Sequence, residues 1–324
     1  MTPTAPPPGD KTCGRLGFHP APASQSTPCP VSTPGSWCCI IIWANPLMEY
    51  RKVCQYRGRV KMIVFDWAGT VVDCGVFAPV RAFTNVFKSE GIQVLDEEVR
   101  APMGAHKRAH IAQMLEMDRI SRLWKEKHGK AATTADIDRM YSSFVPEQIK
   151  ALAQHADVIK GIPDTVQRLR DEYQLKIGTS TGFPSQIMEH LVPMAAQKGF
   201  EPDFCATADK VKEARPTPNM LFLNMMELNI NPVEAVVKVD DTVSGIMEGL
   251  SGGCWTVGVA KTGNYMGATE AELLEMPQNE YASRLKRAYK VLIDSGAHYV
   301  IDSVRDILPV IDDINRRLSV GEKP

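Results

Sequence analysis

The rhythm of hydrophobic and polar positions changes abruptly near residue 60. Before it, MTPTAPPPGD and HPAPASQSTPCPVSTPG are rich in Pro, Ser and Thr, with almost no periodicity. Such a stretch cannot bury enough apolar surface to offset its ordering entropy, so residues 1-58 are expected to form a disordered or processed extension. From Lys61 the pattern sharpens. Met62-Ile63-Val64-Phe65 is a continuous apolar run ending in Asp66, as expected of a strand buried on both faces of a parallel sheet. Residues 80-160 read as helices, with VRAFTNVFKSEG, HKRAHIAQMLEM and TADIDRMYSSFVPEQIKALAQHA as examples. Beyond them strand-like and helix-like runs alternate: LKIGTST, SQIMEHLVPMAAQKG, PDFCAT, NMLFLNMMELN, AVVKV, SGIMEGLSGG, WTVGVA, a helical stretch from EAELLEM to LKRAYKVLIDSG, HYVID and a final helix.

Alternation of this kind means βα units and an α/β fold with a doubly wound parallel sheet. The core is expected over 59-79 and 161-324. The helical insertion after the first strand, 80-160, is too long for a loop and is expected to form a cap domain. In such sheets a ligand sits outside the strand C-termini, at a topological switch point. Three strands end there in chemistry-bearing residues: Asp66, Thr181 and Asp240-Asp241.

Composition narrows the function classes. Lys plus Arg is 37 against 38 for Asp plus Glu, so no global field points to nucleic acid or an acidic membrane. The longest apolar run, Trp37 to Ala44, is far too short to span a bilayer. The eight cysteines show no zinc-ligand spacing, and a reduced, cytoplasmic setting is expected. The alternative is organelle targeting by the extension, which is acid-poor but also Arg-poor. A start at Met48 is a third reading of the same segment.

Asp66 at a strand end can attack phosphorus and form an aspartyl-phosphate. The substrate is then anionic too, and Mg²⁺ bridging carboxylate and phosphate would offset the repulsion, with Asp241 as second ligand. A lone strand-terminal Asp is more often a helix cap; two of them with phosphate donors nearby favour chemistry. Thr181 and Gly182 place a hydroxyl and backbone N–H groups before a helix, a phosphate cradle. Arg215, ahead of Pro216, could stabilise charge on a transferring phosphoryl group. In PMGAHKRAHIAQMLEM, the residues Met103, Lys107, Ile111 and Met114 share one helical face, with His110 beside them. A lysine on an apolar stripe is partly desolvated and carries more free amine, which a Schiff base with an aldehyde requires. The plain alternative is a snorkelling surface lysine.

Asp66, Thr181, Arg215 and Asp241 occur in the order and context of the four motifs of the haloacid-dehalogenase superfamily. Its first motif reads DxDGT; here Ala68 stands where phosphatases keep a second aspartate. The strings FDWAGTVVD, GVFAPV, APMGAHK, KIGTSTGF, ARPTPNM, VKVDDTVSGIMEG and CWTVGV resemble the phosphonoacetaldehyde hydrolases of that superfamily over roughly residues 60 to 305. The resemblance implies cleavage of a carbon–phosphorus bond to give acetaldehyde and phosphate. It assigns the nucleophile to Asp66, the imine-forming amine to Lys107 and proton transfer around the imine to His110. It assigns phosphate binding to Thr181, Gly182 and Arg215, and Mg²⁺ to Asp66, Asp241 and the backbone carbonyl of Ala68. It also implies a homodimer, with a small phosphonate as the only other partner. Phe183 stands where some members have tyrosine, and Val76 where some have cysteine. Gly245 replaces an acid, while Asp240 stands where those members have glycine. The alternatives are another phosphatase or phosphomutase of the superfamily, which Ala68 opposes, or a non-catalytic protein binding phosphorylated ligands, which the retained Asp66, Lys107, Arg215 and Asp241 oppose.

Overall fold

In this computed structural model the described residues are 56–324, together with the backbone of 40–45 and 48–52. The Pro/Ser/Thr-rich stretch up to residue 39 lies outside them. The expectation for 1-58 included no strand, yet β1 (Ile40–Asn45) and β2 (Met48–Lys52) pair antiparallel.

Six strands form one parallel sheet: β3 (Met62–Phe65), β4 (Lys176–Thr181), β5 (Phe204–Thr207), β6 (Val236–Asp240), β7 (Trp255–Val259) and β8 (Tyr299–Ile301), in the order β5-β4-β3-β6-β7-β8. The chain starts in the middle, winds out through β4 and β5, then returns across β3 to build β6, β7 and β8. That reversal opens a crevice at the C-terminal ends of β3, β4 and β6. Register brings the strand ends level, with Phe65 opposite both Thr179 and Val239. Residues following these positions therefore converge.

After β3 a layer of five helices follows: α1 (Phe77–Ser89), α2 (Asp96–Arg100), α3 (Lys107–Glu116), α4 (Asp118–His128) and α5 (Thr134–His155). Two local signals delimit them. Gly129 at φ 73° ends α4, and Thr133 with Asp136 forms a capping box that starts α5. Phe83 and Phe87 of α1 pack with Met140 and Phe144 of α5, all buried, and the Phe83 and Phe144 rings lie 4.4 Å apart. Burial of one such phenyl group is worth roughly 2–3 kcal/mol. The two connections of this helical layer run side by side: Asp73 N–H donates to Asp157 O at 3.0 Å and Ile159 N–H to Val71 O at 3.0 Å.

The remaining helices cover both faces of the sheet: α6 (Ile162–Asp171), α7 (Ser185–Ala196), α8 (Asn219–Glu227), α9 (Val243–Gly252), α10 (Glu270–Glu275), α11 (Gln278–Asp294) and α12 (Ile307–Ser319). Ile63 and Phe65 share a cluster with residues of α6, α7 and α12, which continues into the α1–α5 layer. Met62 and Val64 pack on the opposite face with Leu221 of α8. The alternating helical and extended runs thus appear as a doubly wound sheet. The stretch expected as one helical region near 270–296 is divided into α10 and α11 around Pro277.

Candidate active site

Strand β3 delivers Asp66 to the crevice, where its N–H donates to Val239 O at 2.9 Å. Strand β6 delivers Asp240 and Asp241. One carboxylate oxygen from each of these three acids lies within 4.8 Å of the others. All three are buried. Burial and mutual repulsion push the Asp241 carboxyl well above its ordinary range. Burial with the nearby Asp240 raises Asp66 to about 6, against the opposing pull of Arg215 and Lys238. Burial works the same way on Asp240, but Arg215, Lys238 and the Thr242 hydroxyl outweigh it and hold that carboxyl below its usual range. Crowded, dry carboxylate oxygens of this kind suit a hard divalent cation, and the donor set fits one.

Arg215 organises the opposite wall. Its Nη2 lies 2.8 Å from Asp66 Oδ1 and 3.1 Å from Asp240 Oδ2, and donates to Ser180 O at 2.6 Å. Its Nε donates to Glu248 Oε2 at 2.9 Å. Below it Lys238 is fully buried, with Nζ 2.8 Å from Ser180 Oγ, 2.9 Å from Asp240 and 3.3 Å from Glu248. Sequence reasoning passed over Lys238, Glu248 and Ser180. The available signal was a charged residue inside each of two apolar runs, VVKVD and GIMEGL, because such residues are buried only when paired. The Asp240-Asp241 doublet was legible, but only Asp241 was assigned to metal; the geometry adds Asp240 to the cluster.

Gly245 explains why Asp240 is possible. A Cβ at 245 would lie 1.9 Å from the Asp240 carboxyl carbon. The side chain absent at 245 leaves the space that the Asp240 carboxylate fills, which accounts sterically for the paired departures at 240 and 245.

Lys107 enters from the helical layer. It is the first residue of α3 and buried, and it lines a cavity with Asp66, Ala68, Met103, Thr181, Gly182, Phe183 and Arg215. The cavity volume is ≈ 20 Å³, about the room one water needs. Burial lowers the Lys107 amine to about 8, although Asp66 pulls the other way. The expected stripe from Met103 to Met114 is interrupted: Met103 precedes the helix, because Gly104 at φ 89° turns the chain before α3 begins. That turn seats the 103–105 segment on the sheet. A Cβ on Gly104 would come within 2.3 Å of Thr242 Oγ1, and one on Gly182 within 2.6 Å of Ala105 O.

The other expected residues are placed as follows. Thr181 Oγ1 accepts from Phe183 N–H at 3.1 Å, which fixes the turn after β4. His110 is fully buried, with Nε2 2.9 Å from Val99 O and its ring stacked on Phe83 at 3.9 Å. Burial and the Lys107 charge hold it well below its usual range, so it is neutral. His110 is absent from the cavity wall described above.

Residues 60–253 match the family model described as haloacid dehalogenase-like hydrolase. The chain is 44% identical to a phosphonoacetaldehyde hydrolase of Paraburkholderia phytofirmans and 43% identical to one of Paraburkholderia xenovorans, each over 82% of this chain and 99% of the relative. A crystal structure of a phosphonoacetaldehyde hydrolase-like protein from Oleispira antarctica superposes with a TM-score of 0.82 at 40% identity, covering 83% of this chain and 98% of that one.

Proposed function

Because the chain belongs to the haloacid dehalogenase-like hydrolases and, within them, to the phosphonoacetaldehyde hydrolase family, we propose that it hydrolyses phosphonoacetaldehyde to acetaldehyde and phosphate. The observation that carries the mechanism is one cavity holding both the desolvated Lys107 amine and the Asp66 carboxylate, with Ala68 where an ester hydrolase would need an acid. Direct attack on phosphonate phosphorus would expel a carbanion. An imine at Lys107 supplies an electron sink, so the C–P electrons pass into an enamine and Asp66 takes the phosphoryl group. The enamine then gains a proton on carbon and is hydrolysed to acetaldehyde, while water releases phosphate from Asp66. Arg215 is already aimed at Asp66 by Glu248 and Ser180, in position to meet the phosphoryl oxygens. Thr181 and Gly182 complete the anion cradle at the turn before α7.

Mg²⁺ suits Asp66, Asp241, the Ala68 carbonyl and, by its position in the acid cluster, Asp240. When bound, the ion supplies charge neutralisation between nucleophile and phosphonate. His110 is read as a proton-transfer group whose neutral Nδ1 faces away from its Val99 partner. A cavity of ≈ 20 Å³ cannot admit the substrate, so the helical layer over 80–160 acts as a cap that moves on the paired connections at 71–73 and 157–159. A homodimer and a cytoplasmic setting complete the reading. The unpaired thiols of Cys74, Cys205 and Cys254 suit the latter, and no helix among the described residues is long and apolar enough to cross a membrane.

The test is acetaldehyde release from phosphonoacetaldehyde with Mg²⁺, alongside borohydride added during turnover. Release that stops on reduction, with a two-carbon adduct at Lys107, is expected. Asp66→Asn should lose phosphate release yet still be trapped, and Lys107→Arg should lose trapping. Phosphate release surviving Asp66→Asn would remove the nucleophile assignment.

A further inference from the structure

Lys107 differs from the other buried cations of the site in what surrounds it. Arg215 and Lys238 meet carboxylates at 2.8 to 3.3 Å. The Lys107 Nζ instead lies 4.9 Å from the centroid of the Phe183 ring and 5.8 Å from that of Phe83. Both rings are held in place. Phe83 is packed between His110 at 3.9 Å and Phe144 at 4.4 Å. Phe183 is buried, with its N–H donating to Thr181 Oγ1 and its carbonyl accepting from Ala208 N–H at 3.2 Å. An aromatic face within about 6 Å attracts a cation through the ring quadrupole, and more strongly where water is excluded.

We propose that Phe183, backed by Phe83, is a catalytic residue for imine formation: its ring stabilises the positive charge that the Lys107 nitrogen carries as ammonium and as protonated imine. This rests on the reading of Lys107 as the imine-forming amine. The neutral amine adds its lone pair to the aldehyde carbon and the C–N bond forms. With one proton taken up, the carbonyl oxygen departs as water, leaving a C=N bond with the charge on nitrogen. When the C–P bond breaks, its electron pair becomes the C=C bond of the enamine, the C=N pair returns to nitrogen, and the charge disappears. The ring therefore acts on accumulation of the protonated imine, and its contribution is given back during cleavage.

This assignment has a pH signature that space-filling lacks. Above the amine's midpoint the reactant is neutral and the product cationic, so loss of the ring weakens imine accumulation. Below the midpoint the reactant is already a cation at the same nitrogen, and the contribution cancels. The charged groups acting on Lys107 are Asp66, Arg215, Asp241 and Asp240, with His106 and His110 nearby on its own segment. Substitution at 183 alters none of them.

The experiment measures the adduct at Lys107 by mass spectrometry, with acetaldehyde as probe and cyanoborohydride as slow reductant, from about pH 6 to about pH 10. Wild type, Phe183→Leu and Phe183→Tyr are compared. Leucine keeps the site apolar but removes the quadrupole; tyrosine keeps the ring. For Phe183→Leu the aldehyde concentration for half-maximal trapping should rise about tenfold above the midpoint and stay unchanged below it, with the midpoint itself moved to lower pH. Phe183→Tyr should restore the wild-type profile. Unchanged trapping in Phe183→Leu, an equal loss at every pH, or a tyrosine variant that behaves like leucine would each overturn the proposal while leaving the imine reading intact. Absence of any wild-type adduct would remove both, and the wild-type arm alone reports that.

Discussion

Replacing Lys238 by methionine tests whether the buried charge network beneath Arg215 is what holds the site together. The substitution keeps length and apolar stem but removes an ammonium that meets Ser180 Oγ at 2.8 Å, Asp240 at 2.9 Å and Glu248 at 3.3 Å. In the native network Arg215 and Lys238 face Asp66, Asp240 and Glu248, two cations against three anions. Lys238→Met leaves one cation against three anions, with nothing but Arg215 to compensate two fully buried carboxylates. Breaking a buried pair by removing one partner costs about 3–5 kcal/mol. At about 2 °C per kcal/mol for a chain of this size, Tm should fall by roughly 6–10 °C. Adding Glu248→Gln returns the network to one cation against two anions, the native excess. The double variant should therefore recover part of the loss, with a coupling of about 1–3 kcal/mol. Thermal unfolding by circular dichroism of the wild type, both singles and the double measures this. A Tm within about 2 °C of wild type for Lys238→Met, or strict additivity in the double variant, would refute the reasoning.

On the proposed imine route, free amine at Lys107 limits the first step. Its pKa is lowered to about 8, so only about 1% of the amine is free at pH 6, and kcat/KM should rise with pH through that value; a flat profile would count against an amine nucleophile. Gly104→Ala adds a strained positive φ and a clash with Thr242, so kcat/KM should fall at least about tenfold with a lowered Tm; wild-type turnover would show that the 103–105 segment is not seated as described. Chelation by EDTA should abolish phosphate release while acetaldehyde remains trappable at Lys107, since the amine is not part of the acid cluster. Loss of trapping as well would place the metal in the imine step.

The sheet was legible because continuous apolar runs and βα alternation leave few topologies, and strand order then carries Asp66, Thr181 and Asp241 to one edge without further information. Lys107 and Arg215 were legible through resemblance more than through spacing. Periodicity alone placed Met103 on the lysine's helix, and a single glycine at positive φ moved it off. The Lys238–Glu248–Ser180 network was not legible because its members are 10 to 68 residues apart and touch only after β4, β6 and α9 pack. One-dimensional periodicity says which face a residue shares, not which distant element covers it. His110 shows the same limit: its proximity to Lys107 on α3 could be read from the sequence, whereas its Val99 partner and its stacking on Phe83 depend on how α1 and α2 close over it.

Charge balance connects Ala68 with Lys107. Asp66, Asp240, Asp241 and Glu248 gather four carboxyl groups at the crevice, faced by the cations Arg215 and Lys238. A divalent cation held by the three aspartates would offset their charge and ease the approach of an anionic phosphonate to Asp66. A second carboxyl at position 68 would enter the small cavity that Ala68 lines together with Asp66. An ester hydrolase tolerates such a group because it must protonate an alkoxide. In the mechanism proposed above the leaving group is an enamine made neutral by its own nitrogen, and no acid is required at the scissile bond. On that mechanism, alanine at 68 and a desolvated lysine at 107 belong to one solution: no proton donor is needed in the core, because the electron sink would stand opposite it on the helical layer.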